Sequence, residues 1–181
     1  MKIHATGLDG LLLIEPTRFG DDRGYFYESF NEKRFAEQID NFHFVQDNQS
    51  ASVRGVLRGL HYQLDPEAQG KLVRVTTGSV WDVAVDIRRH SPTFGKHFGI
   101  ELTAENHLQL WIPPGFAHGF VTLSENAVFQ YKVTRFWSRE HERCILWNDP
   151  DLGIDWRSDV HPILSAKDMQ GTAFRNADVF G

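Results

Sequence analysis

Apolar and β-branched residues recur along this chain in short runs broken by Gly, Pro, Asn and Asp, with no long helical periodicity between them. The runs predict strands over residues 11–15, 24–30, 43–47, 55–63, 71–76, 79–87, 97–103, 108–112, 118–123, 127–137 and 143–147. Two stretches read as helical. Asn31 caps a segment from Glu32 to Ile39, in which Phe35 and Ile39 stand one turn apart and Glu32 suits the positive first turn. Ser165-Ala166-Lys167-Asp168 has the form of a capping box opening a short turn. Many short strands and few helices predict an all-β fold, either closed or built from two sheets: a sandwich, jelly roll or barrel.

Several strands carry ionisable groups that a structural strand rarely holds. Gly55-Val56-Leu57-Arg58-Gly59-Leu60-His61-Tyr62-Gln63 contains an arginine and a histidine. Lys71-Leu72-Val73-Arg74-Val75 sets cations on an apolar run, and Trp111 to Phe120 embeds His118 among aromatics. Together they suggest a pocket lined from several strands. Strict alternation puts Arg58 and His61 on opposite faces, so both reach one pocket only if the strand breaks its pleat, and Gly59 is the natural place. Each residue also has a plain structural use. His61 can be a hydrogen-bonded strand histidine, and Tyr131 a core tyrosine on the face of Phe129 and Val133. Asp168 can simply close its capping box. Asp82 and Asp86 can face solvent, or point inward to orient a base or pair with Lys71.

Bulk properties narrow the function. At 181 residues the chain suits one domain, 1–181, large enough for a real core. A net charge of −5 argues against nucleic acid as partner. Arg54, Arg58, Lys71 and Arg74 nonetheless lie close in sequence, with only Asp65 and Glu67 as acids between them, a pattern that suits either a small anionic ligand or a solvated basic face. A single cysteine, Cys144, excludes an intrachain disulfide and suits a reducing compartment. Met1 to Gly7 lacks a signal-peptide layout, and the run Leu11 to Ile14 is strand-sized, so a soluble cytoplasmic protein away from membranes is expected. The nine histidines form no His-x-His pair with a following carboxylate, and His61 with His118 lacks a third ligand, so no metal is expected. No glycine-rich phosphate loop is present, leaving arginine forks and lysine to hold any phosphate.

The same segments carry a family resemblance that runs nearly end to end. They include Phe19 to Glu28, Phe44-Val45-Gln46-Asp47-Asn48, Val56 to Gln63, Gln69 to Val75, Asp82 to Arg88, Ser91 to Gly95, Trp111 to Phe120, Ile145 to Asp149 and Leu164 to Asp168. In these motifs the chain resembles the dTDP-4-dehydrorhamnose 3,5-epimerases. The resemblance implies a cupin-like double-sheet jelly roll with a few short helices, and a homodimer whose N-terminal strands cross to the partner. It also implies cofactor-free inversion at C3 and C5 of a dTDP-4-keto-6-deoxyhexose. Both carbons flank the C4 ketone, so their protons are acidified by enolate formation. On the family pattern His61 is the base, Asp168 its partner in place of a capping role, Lys71 the stabiliser of the C4 oxygen with His118 near it, and Tyr131 the acid on the opposite face. Arg23, Glu28, Gln46, Asp47, Asn48, Arg58, Lys71, His118, Glu142 and Lys167 fall where the family contacts substrate, and Trp137 where an aromatic, usually tyrosine, stacks on thymine. Three other readings remain: a single-carbon epimerase, a non-catalytic sugar-nucleotide binder, and a metal-dependent cupin oxygenase. The intact base and acid oppose the second, and the ligand count opposes the third.

Overall fold

The computed structural model describes residues 1–181. One sheet has six strands in the order β1 (Lys2–Ala5), β2 (Leu12–Glu15), β10 (Gln109–Ile112), β7 (Lys71–Thr77), β12 (Asn126–Val133) and β5 (Gln46–Val53). A second has five: β13 (Glu142–Cys144), β6 (Leu57–Gln63), β11 (Phe116–Thr122), β8 (Ser79–Asp86) and β9 (His97–Thr103). β3 (Arg18–Asp21) and β4 (Gly24–Tyr27) pair only with each other. From β5 onward the chain passes back and forth between the two large sheets, which is the connectivity of a jelly roll. The fold is the expected all-β, cupin-like double sheet.

Apolar residues fill three layers. Between the sheets, Val73 and Val75 of β7 and Phe129 of β12 meet Val80 and Ala84 of β8, Leu102 of β9, and Phe116 and Phe120 of β11. The far side of the five-stranded sheet presents Leu57, Leu60, Tyr62, Val83, Val85 and Val121, and the C-terminal segment covers it with Leu152 and Trp156. Strand β8 is therefore buried on both faces, which is why it reads as a nearly unbroken apolar run. The outer side of the six-stranded sheet receives helix α1 (Glu32–Gln38). Asn31 caps it by accepting from the Arg34 amide, and Phe35 packs edge-on against Trp111 with ring centroids 5.0 Å apart.

The sequence pattern misplaces the polar strands. β5 occupies Gln46–Val53 rather than residues 43–47. Its inward positions are Gln46, Asn48, Ser50 and Ser52, so no apolar alternation announces it; its evidence is eight antiparallel pairs with β12. β1 and β3 are four-residue strands that are exposed or nearly so. The strands expected over 24–30, 127–137 and 143–147 end earlier, at Tyr27, Val133 and Cys144, which leaves Trp137 in the loop after β12.

Candidate active site

The inner face of β6 carries the first half of the site. His61 lies opposite His118 of β11, whereas Arg58 lies opposite Phe120. Three residue steps on β6 thus match two on β11. Gly59 absorbs the extra residue with φ of +143° and approaches so closely that a Cβ there would stand 2.5 Å from the Cα of Gly119. The bulge turns both Arg58 and His61 inward. Arg58 crosses to the opposite sheet, where its Nε donates to Ser52 Oγ of β5 at 3.3 Å.

His61 Nε2 lies 2.8 Å from Asp168 Oδ1, off the line of an ideal hydrogen bond. Asp168 is the third residue of the short helix α2 (Ala166–Met169), which Ser165 caps. Its Oδ1 also accepts from the Gly59 amide at 3.1 Å, while Oδ2 accepts from the Ser165 hydroxyl and amide in a closed capping box. The resemblance implies that pairing with His61 displaces the capping role. The structure instead gives one oxygen to each task. Burial would raise the Asp168 carboxyl, but contacts from His61, Ser165 and Gly59 outweigh it and bring it down to about 2. For His61 burial dominates and lowers the imidazole below its usual value; Asp168 opposes that shift, and Lys167 and Lys71 reinforce it. A neutral imidazole with its proton on Nε2, facing the carboxylate, leaves the Nδ1 lone pair to accept a proton.

Lys71 reaches from β7, in the other sheet, and donates from Nζ to the His61 carbonyl at 3.2 Å. Burial lowers its ammonium to about 8, against the pull of Asp82 and Glu142. Below that pH it is a cation inside the barrel. His118 forms a second imidazole–carboxylate pair, Nε2 lying 2.9 Å from Asp82 Oδ2. Asp82 is fully buried and its Oδ1 has no hydrogen-bond partner. Asp82 thus orients a histidine, one of the roles its sequence position left open. Asp86, also inward, instead binds Arg88, Ser91 and Thr93 at the end of β8.

The remaining groups close the pocket. Tyr131 of β12 faces inward beside Phe129 and opposite Asn48, whose side-chain oxygen accepts from Gln46 Nε2 at 2.8 Å. Burial raises the Tyr131 phenol, with Arg58 pulling it down and Glu142 up, so it is protonated at neutral pH. Glu142 of β13 pairs with Lys167; burial would raise its carboxyl, but Lys167 lowers it, with smaller help from Trp137 and His61. Trp137 stands 57% exposed in the loop after β12.

His61, Lys71, Asp168, Tyr131, Gln46, Asn48, Arg58, His118, Glu142, Lys167 and Trp137 therefore lie on or beside one interior. Within one chain, Arg23, Glu28 and Asp47 do not join them. Arg23 binds Asp21 at the tip of the β3–β4 hairpin, and Glu28 pairs with Arg34. Asp47 points to the outer side of the six-stranded sheet and pairs with Lys132 at 2.8 Å, beside a groove of about 460 Å3 that also includes Ser29, Phe30 and Gln130. His61 and Asp168 are not among the residues lining that groove. The Gly59 amide and Ser165, which hold Asp168, and Cys144, whose β13 position pairs with His61, are the groups the sequence reading passed over. Only the capping-box spacing hinted at Ser165.

An inward imidazole–carboxylate pair, a buried lysine and a phenol on the facing sheet define an acid–base enzyme on a cupin-like double sheet, suited to proton transfer at carbon. Comparison with known proteins places it more closely. Residues 5–176 match the family model described as dTDP-4-dehydrorhamnose 3,5-epimerase, and the chain belongs to that family. It is 60% identical over 181 residues to the Pseudomonas aeruginosa dTDP-4-dehydrorhamnose 3,5-epimerase, spanning 99% of each chain. It superposes with a TM-score of 0.94 and 50% identity on the Legionella pneumophila dTDP-6-deoxy-D-glucose-3,5-epimerase in complex with dTDP-4-keto-L-rhamnose, covering 98% of this chain and 94% of that one. A 3'-monoepimerase from Streptomyces bikiniensis, in complex with dTDP-quinovose, is similar at 32% identity and a TM-score of 0.91, over 96% of this chain and 88% of that one. No helix is long and apolar enough to cross a membrane.

Proposed function

We propose that this chain converts dTDP-4-dehydro-6-deoxy-D-glucose to dTDP-4-dehydro-L-rhamnose by inverting C3 and C5, without a cofactor. The observation that carries the reading is the placement of His61 and Tyr131 on facing sheets around buried Lys71. His61 Nδ1 takes the proton from a carbon next to the ketone, and the C–H electron pair moves toward the C4 oxygen. Asp168 stabilises the resulting imidazolium. The Lys71 ammonium, with His118 beside it, offsets the developing enolate charge. Tyr131 then delivers its proton to the other face of the same carbon. The imidazolium and phenolate return to their starting states by exchange with water, and the cycle repeats at the second carbon. High identity to named 3,5-epimerases favours inversion at both carbons over a single-carbon reaction.

Arg58 and Lys167 supply cations for the diphosphate, and Trp137 a face for the thymine. The functional unit is a homodimer in which the β3–β4 hairpin crosses to the partner's site. In the isolated chain that hairpin leaves Phe19 63% and Phe26 69% exposed, and Arg23 exposed at its tip with only the local pairing to Asp21. Docking against a second copy covers the aromatics and brings Arg23 and Glu28 to the partner's substrate. The protein acts in the cytoplasm and has no nucleic-acid partner, in keeping with its net charge of −5.

Incubation with dTDP-4-keto-6-deoxyglucose in deuterated water, followed by NMR, tests the reading. Deuterium uptake and inversion at both C3 and C5 are expected. Uptake at one carbon alone would make the protein a single-carbon epimerase, and binding without exchange would overturn the catalytic reading.

A further inference from the structure

The ligand-bearing atoms of His61, Cys144 and Asp168 all lie within 4.8 Å of one another. The epimerase chemistry uses two of these residues and leaves Cys144 without a task. Cys144 is opposite His61 in the β13–β6 register, so its side chain enters from the strand next to the base. A second observation comes from the histidine. Its Nε2 is buried, and despite the nearby Asp168 oxygen it has no properly aligned hydrogen-bond partner. The proton on Nε2 thus faces Asp168 without good alignment, and it is this proton that a cation would displace.

We propose that His61, Cys144 and Asp168 form a latent three-ligand site for a thiophilic divalent cation such as Zn2+, and that its occupancy switches the enzyme off. One thiolate, one imidazole and one carboxylate is a donor set that Zn2+ accepts, with a fourth position left for water. Tetrahedral coordination at ordinary zinc bond lengths separates neighbouring ligand atoms by roughly 3.4–3.7 Å. His61 Nε2 and Asp168 Oδ1, at 2.8 Å, would therefore open slightly. Lys167 and Lys71, which act on His61, also lie near the ion, and the Asp168 and Glu142 carboxylates offset them. Lys167 is paired with Glu142, and Lys71 donates to the His61 carbonyl on the backbone side.

Three bonds form, to Sγ, Nε2 and Oδ1, and the Cys144 thiol proton leaves to solvent. Burial pushes that thiol up to about 12, so without a cation it is a protonated, unreactive group. Coordination through Nε2 also moves the imidazole proton to Nδ1. The nitrogen that serves as base is then already protonated, and Asp168 is withdrawn from it. Inhibition rests on the assignment of His61 as base; binding does not.

The test uses the full chain stripped of metal by a chelator. Titration with Co2+ is expected to give a thiolate-to-cobalt charge-transfer band, lost in Cys144→Ala and in Cys144→Ser and bleached by Zn2+. Zn2+ is expected to suppress wild-type turnover, and Cys144→Ala to need at least tenfold more for the same loss. The absence of the band from the wild type would overturn the site. Equal Zn2+ sensitivity of wild type and Cys144→Ala would overturn the switch. The spectral arm decides the site even if the epimerase reading fails.

Discussion

Asp168 sets one carboxylate oxygen 2.8 Å from His61 Nε2 and uses the other to close a capping box with Ser165. His61 is thereby tied to the start of α2, so a local helix cap fixes the orientation of the imidazole proposed as the base. The two duties separate by mutation. Ser165→Ala removes a cap, with an expected loss of about 1 kcal/mol of stability and a modest fall in turnover. Asp168→Asn keeps the side chain's shape but removes the charge that supports the imidazolium. Turnover should then drop by at least tenfold, with a smaller change in melting temperature than its kinetic effect implies. Thermal unfolding and kcat measured on both variants check this, and equal kinetic losses would contradict the division of labour.

Tyr131→Phe separates the two proton transfers. The phenol is buried and protonated on the sheet opposite His61, so its loss should leave substrate deuterium exchange partly intact while inversion collapses. NMR of exchange and of product in the same sample reads both. Parallel loss of the two would count against Tyr131 as the acid.

Trp137 is 57% exposed, and its side chain hydrogen-bonds Glu142. Trp137→Ala should weaken dTDP binding by about 1–3 kcal/mol, as expected for a lost base-stacking contact. Calorimetric titration with dTDP measures it, and unchanged affinity would remove Trp137 from the site.

Much of this arrangement is legible in the sequence, but through different signals. The apolar strands β7, β8 and β11 appear in the hydrophobic pattern because both or one of their faces meet packed side chains. β5 does not, because its inward residues Gln46 and Asn48 line a polar pocket and its outward Asp47 pairs with Lys132. Alternation alone separates Arg58 from His61; only the bulge at Gly59, made possible by the absence of a side chain opposite Gly119, reunites them. The Asp82–His118 pair joins residues distant in sequence, and no spacing rule connects them. The outlying positions of Arg23 and Glu28 have a different cause, since in the proposed dimer their place is set by a second chain.

Acid stability should report on Asp86. Burial alone would raise this carboxyl, but hydrogen bonds from Arg88, Ser91 and Thr93 bring it down to about 2. Its folded value is below the unfolded one, so its stabilisation is complete above about pH 4 and is lost as the pH falls through about 2. Asp86→Asn should lower stability at pH 7 by about 2 kcal/mol and flatten the dependence between those limits. Urea unfolding of both proteins at pH 7 and near pH 3 checks the sign; a variant whose stability still falls as steeply as the wild type's would contradict it.

The central claim is that His61 removes the protons at both carbons. The most direct measurement follows deuterium uptake at C3 and C5 of dTDP-4-keto-6-deoxyglucose by NMR for the wild type and for His61→Asn, with dTDP affinity measured alongside. Uptake at both carbons in the wild type, and at neither in a variant that still binds dTDP, is the predicted result. Exchange persisting at either carbon in His61→Asn would show that another base acts there and would contradict the account.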